Sequence, residues 1–561
     1  MEKGKKNTII IIVVICAIVL SVTAWILGKN YANYENKTDN QKAGEKENEP
    51  SFNEEPEEDY QETGTEKCVN QEDPVDESSK DGLIDLDLKF LKIENKKENL
   101  IYSPLSIKYA LNMLKDGTAG TTKSQIENLL GDSSSLPKYN NSKNLALANA
   151  LFVDESFKDN IKGEYISKLK SDYNSELSYN LDATSINDWI YNNTLGLLNN
   201  VVDDSSLVDI DFVLINSLAI DMEWKKMIQL FCPVDPYIVS FANEDFSYSI
   251  NPLSIVDYTK LKFNNKNVIG LDFGAVINNY DIVNTLGEKN VRKEVVTAFR
   301  KWAEENINDD FCNYSELEGV SSVDEAVERY EKSEELTEYV AELNSNYKQY
   351  SRSTDFYFYD DNDVKVFAKD LKRYDGVELQ YIGIMPKKTD LRTFVNNINA
   401  SKINSYTSNL KLINANTFDD NYIYIVEGTI PTFKFDYKLD FINDLNKLGV
   451  TDVFSPEKAD LSPLTERPDE YIKMAVHQAK IEFSNFGITA AADTYLGGAG
   501  DDTDCNPFAY YFKVPVKTID LTFDKPFMFI IRDKDNGSTW FTGIVYEPNE
   551  WKSIDPQDYD E

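Results

Sequence analysis

The sequence predicts an α+β fold built around a large buried sheet, on three observations. Apolar residues recur at helical spacing in DGLIDLDLKFLKI and PLSIKYALNMLKD. Runs rich in β-branched and aromatic residues follow, mixed with helices in no regular βαβ rhythm, which favours antiparallel or mixed sheets. Some of these runs, FVLINSLAI above all, are apolar on both faces, as strands covered on both sides are.

Taken in order, residues 1–6 carry Lys3, Lys5 and Lys6, and from Asn7 to Gly28 no side chain is charged. The run is close to the ~20 apolar residues that cross a bilayer, so 7–28 reads as a transmembrane helix. The preceding lysines keep 1–6 cytoplasmic and send the rest outside, a single-pass arrangement at the cell membrane with an extracellular domain. A cleaved signal peptide is the competing reading, although its apolar region is usually shorter. Residues 29–80 are rich in Glu, Asp, Asn and Pro and too polar to bury a core, so they read as a disordered acidic stalk. The folded domain is expected over 81–552, with 553–561 an acidic tail.

Within the domain the two amphipathic helices come first. The strand candidates are NLALANALFV, DFVLINSLAI, ELQYIGIMP, YIYIVEGTIPTF, HQAKIEF, KPFMFIIRD and STWFTGIVYEP. Between them, residues 289–350 read as charged helices.

Composition excludes several function classes. A formal net charge of −38 argues against nucleic-acid binding, which draws its affinity from Lys and Arg on phosphates. The five cysteines (Cys16, Cys68, Cys232, Cys312, Cys505) show no CxxC spacing, so neither a zinc site nor a dense disulfide framework is indicated; a Cys232–Cys312 bridge is the one pairing considered. The only histidine is His477, which leaves no base for a hydrolase triad of the usual type. No nucleophile–base or metal-ligand spacing occurs, so no enzyme activity, metal or cofactor is expected.

The segment NLIYSPLSIKYALNMLKDGTAGTTKSQIENLLG, with Ser103, Pro104, Ser106, Gly117 and Gly120, resembles the N-terminal signature of the serpins. Further similarities follow in serpin order: LALANALFVDESF, INDWIYNNTLGLLNNVV, FVLINSLAIDMEW, GTIPTFKFDYKLDFINDLNKLGVTDVFSPEKADLSPLT, AVHQAKIEF and DKPFMFIIRDKDNGSTWFTGIVYEP. Only 230–350 lacks a clear counterpart and reads as an expanded insertion. The resemblance implies a serpin fold: a large central mixed β-sheet, two further sheets, about eight or nine helices, and a metastable state with an exposed reactive loop. It places His477 in a polar shutter beneath the central sheet with Ser103, Ser106 and Asn216, and Trp224 at the breach above it. Polar cross-links suit a buried sheet that must stay shut and yet open. A bacterial member of the family is expected, from Lys/Asn/Ile richness with little Arg.

Whether the segment after AKIEF can become a strand is decided by alternation. In GITAAADTYLGG, Ile488, Ala490, Ala492, Thr494 and Leu496 share one face, small and uncharged; Thr489, Ala491, Asp493 and Tyr495 share the other. Asp493 thus stays out of the layer where a carboxylate would be costly. Gly487 is expected to supply the freedom of a turning hinge. By resemblance, the target serine or cysteine protease attacks the loop (487–516), and the freed strand inserts into the sheet and traps the acyl-enzyme.

Two departures from the family stand out. Asn485 and Thr432 replace a usual acid–lysine pair, which predicts a neutral breach. The loop is also long: counting forward from the hinge puts the cut bond near Asp501–Asp502, counting back from the KPF strand puts it near Lys513. An alternative is a non-inhibitory serpin-fold binding module acting through 230–350. A monomer is expected in either case.

Overall fold

Ser103 starts the second helix of the domain. Its side chain accepts a hydrogen bond from the Ser106 N–H, and Pro104 occupies the first helical position, where a missing N–H matters least. The result is α2 (Pro104–Asp116), preceded by α1 (Leu86–Ile93) and β1 (Leu100–Tyr102). The computed structural model describes residues 83–551 apart from 132–135, 226–227, 229–240, 243–246, 249–258, 309–313, 346–348, 351–355, 414–415, 419, 489–507, 509 and 511. The transmembrane and stalk readings, the acidic tail and all five cysteines lie outside the described residues.

After α2 the chain forms α3 (Gly120–Leu130), β2 (Leu145–Val153), α4 (Gly163–Tyr173), β3 (Glu176–Ser178), α5 (Ala183–Asn192), β4 (Phe212–Ile220) and β5 (Met222–Glu223). Next come β6 (Thr259–Phe263), β7 (Lys266–Asp272) and β8 (Ala275–Asn278), then four helices: α6 (Ile282–Leu286), α7 (Glu288–Asn306), α8 (Val323–Glu331) and α9 (Glu334–Ser345). The rest comprises β9 (Phe356–Asp360), β10 (Val364–Asp370), β11 (Leu379–Pro386), α10 (Leu391–Asn397), α11 (Ala400–Ser408), β12 (Ile423–Glu427), β13 (Thr429–Pro431), β14 (Phe433–Leu439), α12 (Phe441–Lys447), β15 (His477–Phe483), β16 (Gly487–Ile488), β17 (Val516–Asp520), β18 (Phe527–Asp533) and β19 (Thr539–Val545).

The sheet buried on both faces is antiparallel, in the order β1-β19-β18-β11-β10-β9 with Lys411–Leu412 at its edge. Its strands send alternate residues into two cores. Phe527, Phe529 and Ile531 of β18 enter one with Phe433 and Phe483; Met528 and Ile530 enter the other with Leu111 and Ile403.

A second sheet is divided. One part has the order β3-β2-β4; the other runs β14-β15-β16-β5. Only Asp221 separates β4 from β5, so the two parts share one path along that strand. No ladder joins β4 to β15 among the described residues. The middle of β4, Leu214 to Asn216, is accordingly half-buried where full burial was expected from its composition.

A third group pairs β17 parallel to β12, β12 antiparallel to β8, and β13 antiparallel to β7, which pairs with β6. Thus β6 to β8, although inside 230–350, are woven into two sheets with later strands: β6 and β7 with β13, and β8 with β12 and β17. The all-helical layer is narrower, α6 to α9. Val291, Val295, Phe299 and Ala303, at spacings of four, put one stripe of α7 against Tyr330 of α8, Leu336 and Val340 of α9, and Ile423 and Ile425 of β12. This layer raises the count to twelve α-helices among the described residues, above the eight or nine expected.

Candidate functional site

β16 sits between two strands that are otherwise apart. Phe483 of β15 faces Ile488, while Gly487 and Ile488 face Glu223 and Met222 of β5, both antiparallel. Because β16 is antiparallel to each neighbour, β5 and β15 run the same way, and the slot between them accepts one antiparallel strand. Ile488 fills the mouth of that slot and is only 2% exposed.

Gly487 is required here for close approach. A Cβ at this position would lie 2.2 Å from the Met222 carbonyl oxygen and 2.7 Å from Glu223 Cα. Its φ is outside the left-handed region, so the expected turning freedom is not what the residue supplies. Thr489, Ala490, Ala491, Ala492, Asp493 and Thr494 lie outside the described residues, as do Asp501 and Asp502.

Trp224 brackets the mouth. Its backbone N–H donates to the Phe486 carbonyl at 2.9 Å and its indole N–H to the Ser484 carbonyl at 2.9 Å. The ring is fully buried and meets Phe483 and Tyr381 edge-on at centroid distances of 5.4 and 6.1 Å. Asn485 is buried beside it, and its carbonyl accepts from the Ile228 N–H at 3.2 Å. Thr432 is buried too; its hydroxyl accepts from Asn549 Nδ2 at 3.1 Å. Asn485 and Thr432 are thus both buried and uncharged.

Below the mouth, three small cavities of about 30, 50 and 70 Å³ follow one another, each walled by β4 on one side and by β15 or the residues leading into it on the other. Ser103, Ser106, Asn216 and His477 all line the middle one. The Ser103 N–H donates to His477 Nε2 at 3.0 Å, and Ser103 Oγ accepts from the Ser106 N–H at 3.1 Å. Asn216 stands on the opposite wall, where its Nδ2 donates to Asn149 Oδ1 at 2.7 Å; its own Oδ1 is buried with no hydrogen-bond partner among the described residues. The structure thus joins Ser106 to Ser103 and Ser103 to His477, and sets Asn216 across the gap from them. Complete burial pushes the His477 pKa down to about 4, so the ring is neutral and Nε2 is free to accept.

Lys513, exposed, lies between the buried Phe512 and Val514. Phe508, Tyr510, Phe512 and Val514 all belong to the core of the α6–α9 layer. That docking is absent from the sequence reading, yet FAYYFKVPV alternates with period two, with Phe508, Tyr510, Phe512, Val514 and Val516 on one face, a signal that could have found it.

A family model described as Serpin (serine protease inhibitor) matches residues 86–232 and 346–548. Human leukocyte elastase inhibitor is 30% identical over 182 residues, 31% of this chain and 42% of that protein. Plasminogen activator inhibitor 1 of Sus scrofa is 29% identical over 119 residues, 21% of this chain and 26% of that protein. The alignments thus span less than half the length of these curated relatives. Among solved structures, the thermophilic serpin tengpin in its native state is 18% identical with a TM-score of 0.49, covering 82% of this chain and 92% of that one. With the family model covering more than half of the sequence, on both sides of the helical layer, the chain belongs to the serpin family.

Proposed function

We propose that this chain is a membrane-tethered extracellular serpin that inhibits a serine or cysteine protease by loop insertion. The observation that carries the reading is the seat of β16: the first two loop residues already lie as a strand between β5 and β15. Continuing that strand downward would put Ala490, Ala492 and Thr494 on the face that Ile488 already buries, and would leave Asp493 on the other. A nine-residue β4 offers the new strand a partner of about 30 Å.

The protease nucleophile attacks a loop carbonyl, and the bond to the next nitrogen breaks. The acyl group stays on the N-terminal limb. That limb is the one rooted at Ile488, so its insertion carries the bound protease along, before water can release it. Insertion gains the unmade ladder on both sides of the slot and fills its cavities. Residues 230–350 are proposed as the family's expansion in this chain, supported by the family model's gap between 232 and 346.

Mixing the full chain with a panel of serine and cysteine proteases tests the reading. A complex that survives boiling in SDS is the expected result, together with a cut chain that melts well above the uncut one. Cleavage with neither complex nor added heat stability would overturn inhibition and favour a binding module.

A further inference from the structure

The loop is longer than the family resemblance implies, and side chains near its C-terminal end pack on the helical layer. Phe508, Tyr510, Phe512 and Val514, every second residue, pack into the core formed with α7 to α9. Phe508 meets Phe299 edge-on at 5.1 Å and Tyr330 at 5.6 Å, the latter two rings being stacked at 4.1 Å. The Tyr510 hydroxyl donates to Glu294 Oε1 at 2.7 Å, and the Tyr339 hydroxyl donates to the Tyr510 carbonyl at 2.8 Å. Phe512 and Val514 are 4% and 5% exposed. Immediately beyond, β17 is held in parallel register to β12, and Lys517 pairs with Asp420 at 2.5 Å while lying 3.6 Å over the Tyr422 ring.

We propose that α7 to α9 act as a clamp that withdraws 508–514 from proteases and so excludes Lys513 as the residue before the cut bond. A protease binds its substrate as an extended strand whose alternate side chains enter pockets, over several residues on each side of the bond it cuts. For the 513–514 bond those residues are the ones committed to the helices. Lys513 is itself exposed, but its neighbours must leave the clamp before it can be cut, and cleavage then follows the fraction of undocked chain. Lys513 is also the only Lys or Arg between Gly487 and Pro515. A protease that requires a basic residue before the cut is therefore not the target; one that accepts small, acidic or aromatic residues is. This rests on the reading of 487–516 as the protease-facing loop.

The test follows the 513–514 bond by mass spectrometry while the full chain is incubated with trypsin, alongside amide hydrogen exchange over 508–516. The bond is expected to stay intact and these amides to exchange slowly. The double variant Phe508→Ala/Phe512→Ala is expected to be cut there at least about tenfold faster. Equal cutting in the native chain and the variant would overturn the clamp, as would an SDS-stable complex joined to trypsin through Lys513. Tyr510→Phe, which keeps the ring and loses the bond to Glu294, is expected to speed exchange at 508–514 if the double variant does not fold. Unprotected amides in the native chain overturn the proposal with no variant at all. Whether any other protease is trapped is read separately, so a chain that traps none but keeps 513–514 intact loses the inhibitor reading and retains the clamp.

Discussion

His477 accepts the Ser103 N–H through Nε2 and is neutral because burial holds its pKa down to about 4, against 6.5 for the free side chain. A folded-state pKa below the unfolded one means that protons bind the unfolded chain more readily. The stabilisation is therefore complete above pH 6.5 and is lost as the pH falls from there through 4, by about 3 kcal/mol in all. Urea unfolding of the native chain and of His477→Gln at a series of pH values isolates this contribution, since every other titrating group is shared. The difference between them should shrink across that window; a constant difference would mean that the ring does not titrate with unfolding. That the only histidine serves no hydrolase triad of the usual type was legible in the sequence, whereas its pairing with Ser103 was implied by family likeness. Asn216 was legible as a participant only through family likeness. The sequence could not show that it binds Asn149 across the β2–β4 ladder, because that pairing depends on a register set at long range.

At the level of elements, the two residues of β16 connect what would otherwise be separate sheets. Gly487→Ala places a methyl group against the Met222 carbonyl, which must push β16 out of the slot. Overpacking of this kind costs about 1–3 kcal/mol. The variant is expected to unfold at lower urea and to be cut by the target protease without trapping it, as judged by gel; unchanged trapping would show that β16 need not seat. Alternation predicted which hinge residues would share a face in a strand, because side-chain direction follows directly from chain position. It did not tell why Gly487 is glycine, since the clash comes from β5, far away in sequence. The same limit hid the docking of Phe508, Tyr510, Phe512 and Val514. Their period-two pattern is plain, but their partner is a helical layer whose position no local signal reports.

At the scale of the whole molecule, the sheet buried on both faces divides two cores, and the divided sheet beside it carries the slot. The proposed tether belongs to this scale, because it sets where a domain with so much negative charge meets its target. No helix among the described residues is long and apolar enough to cross a membrane, and 7–28 lies outside them. The full chain is expected to sediment with membranes, to need detergent for release, and to lose its domain to protease added outside intact cells. Recovery of a soluble chain lacking 7–28 would instead identify a cleaved leader. By itself the sequence determined the α+β class, the first two helices, the main strand runs and the family resemblance, and it predicted the parity of the hinge. These depend on local periodicity, capping and chain order, which are written residue by residue. Only the tertiary structure decided that β4 and β15 stay apart, that β6 to β8 are shared between two sheets with later strands, and that the loop's C-terminal limb is held by helices. Each of those depends on which distant surfaces meet, and burial energy selects among such meetings only once the whole chain has folded.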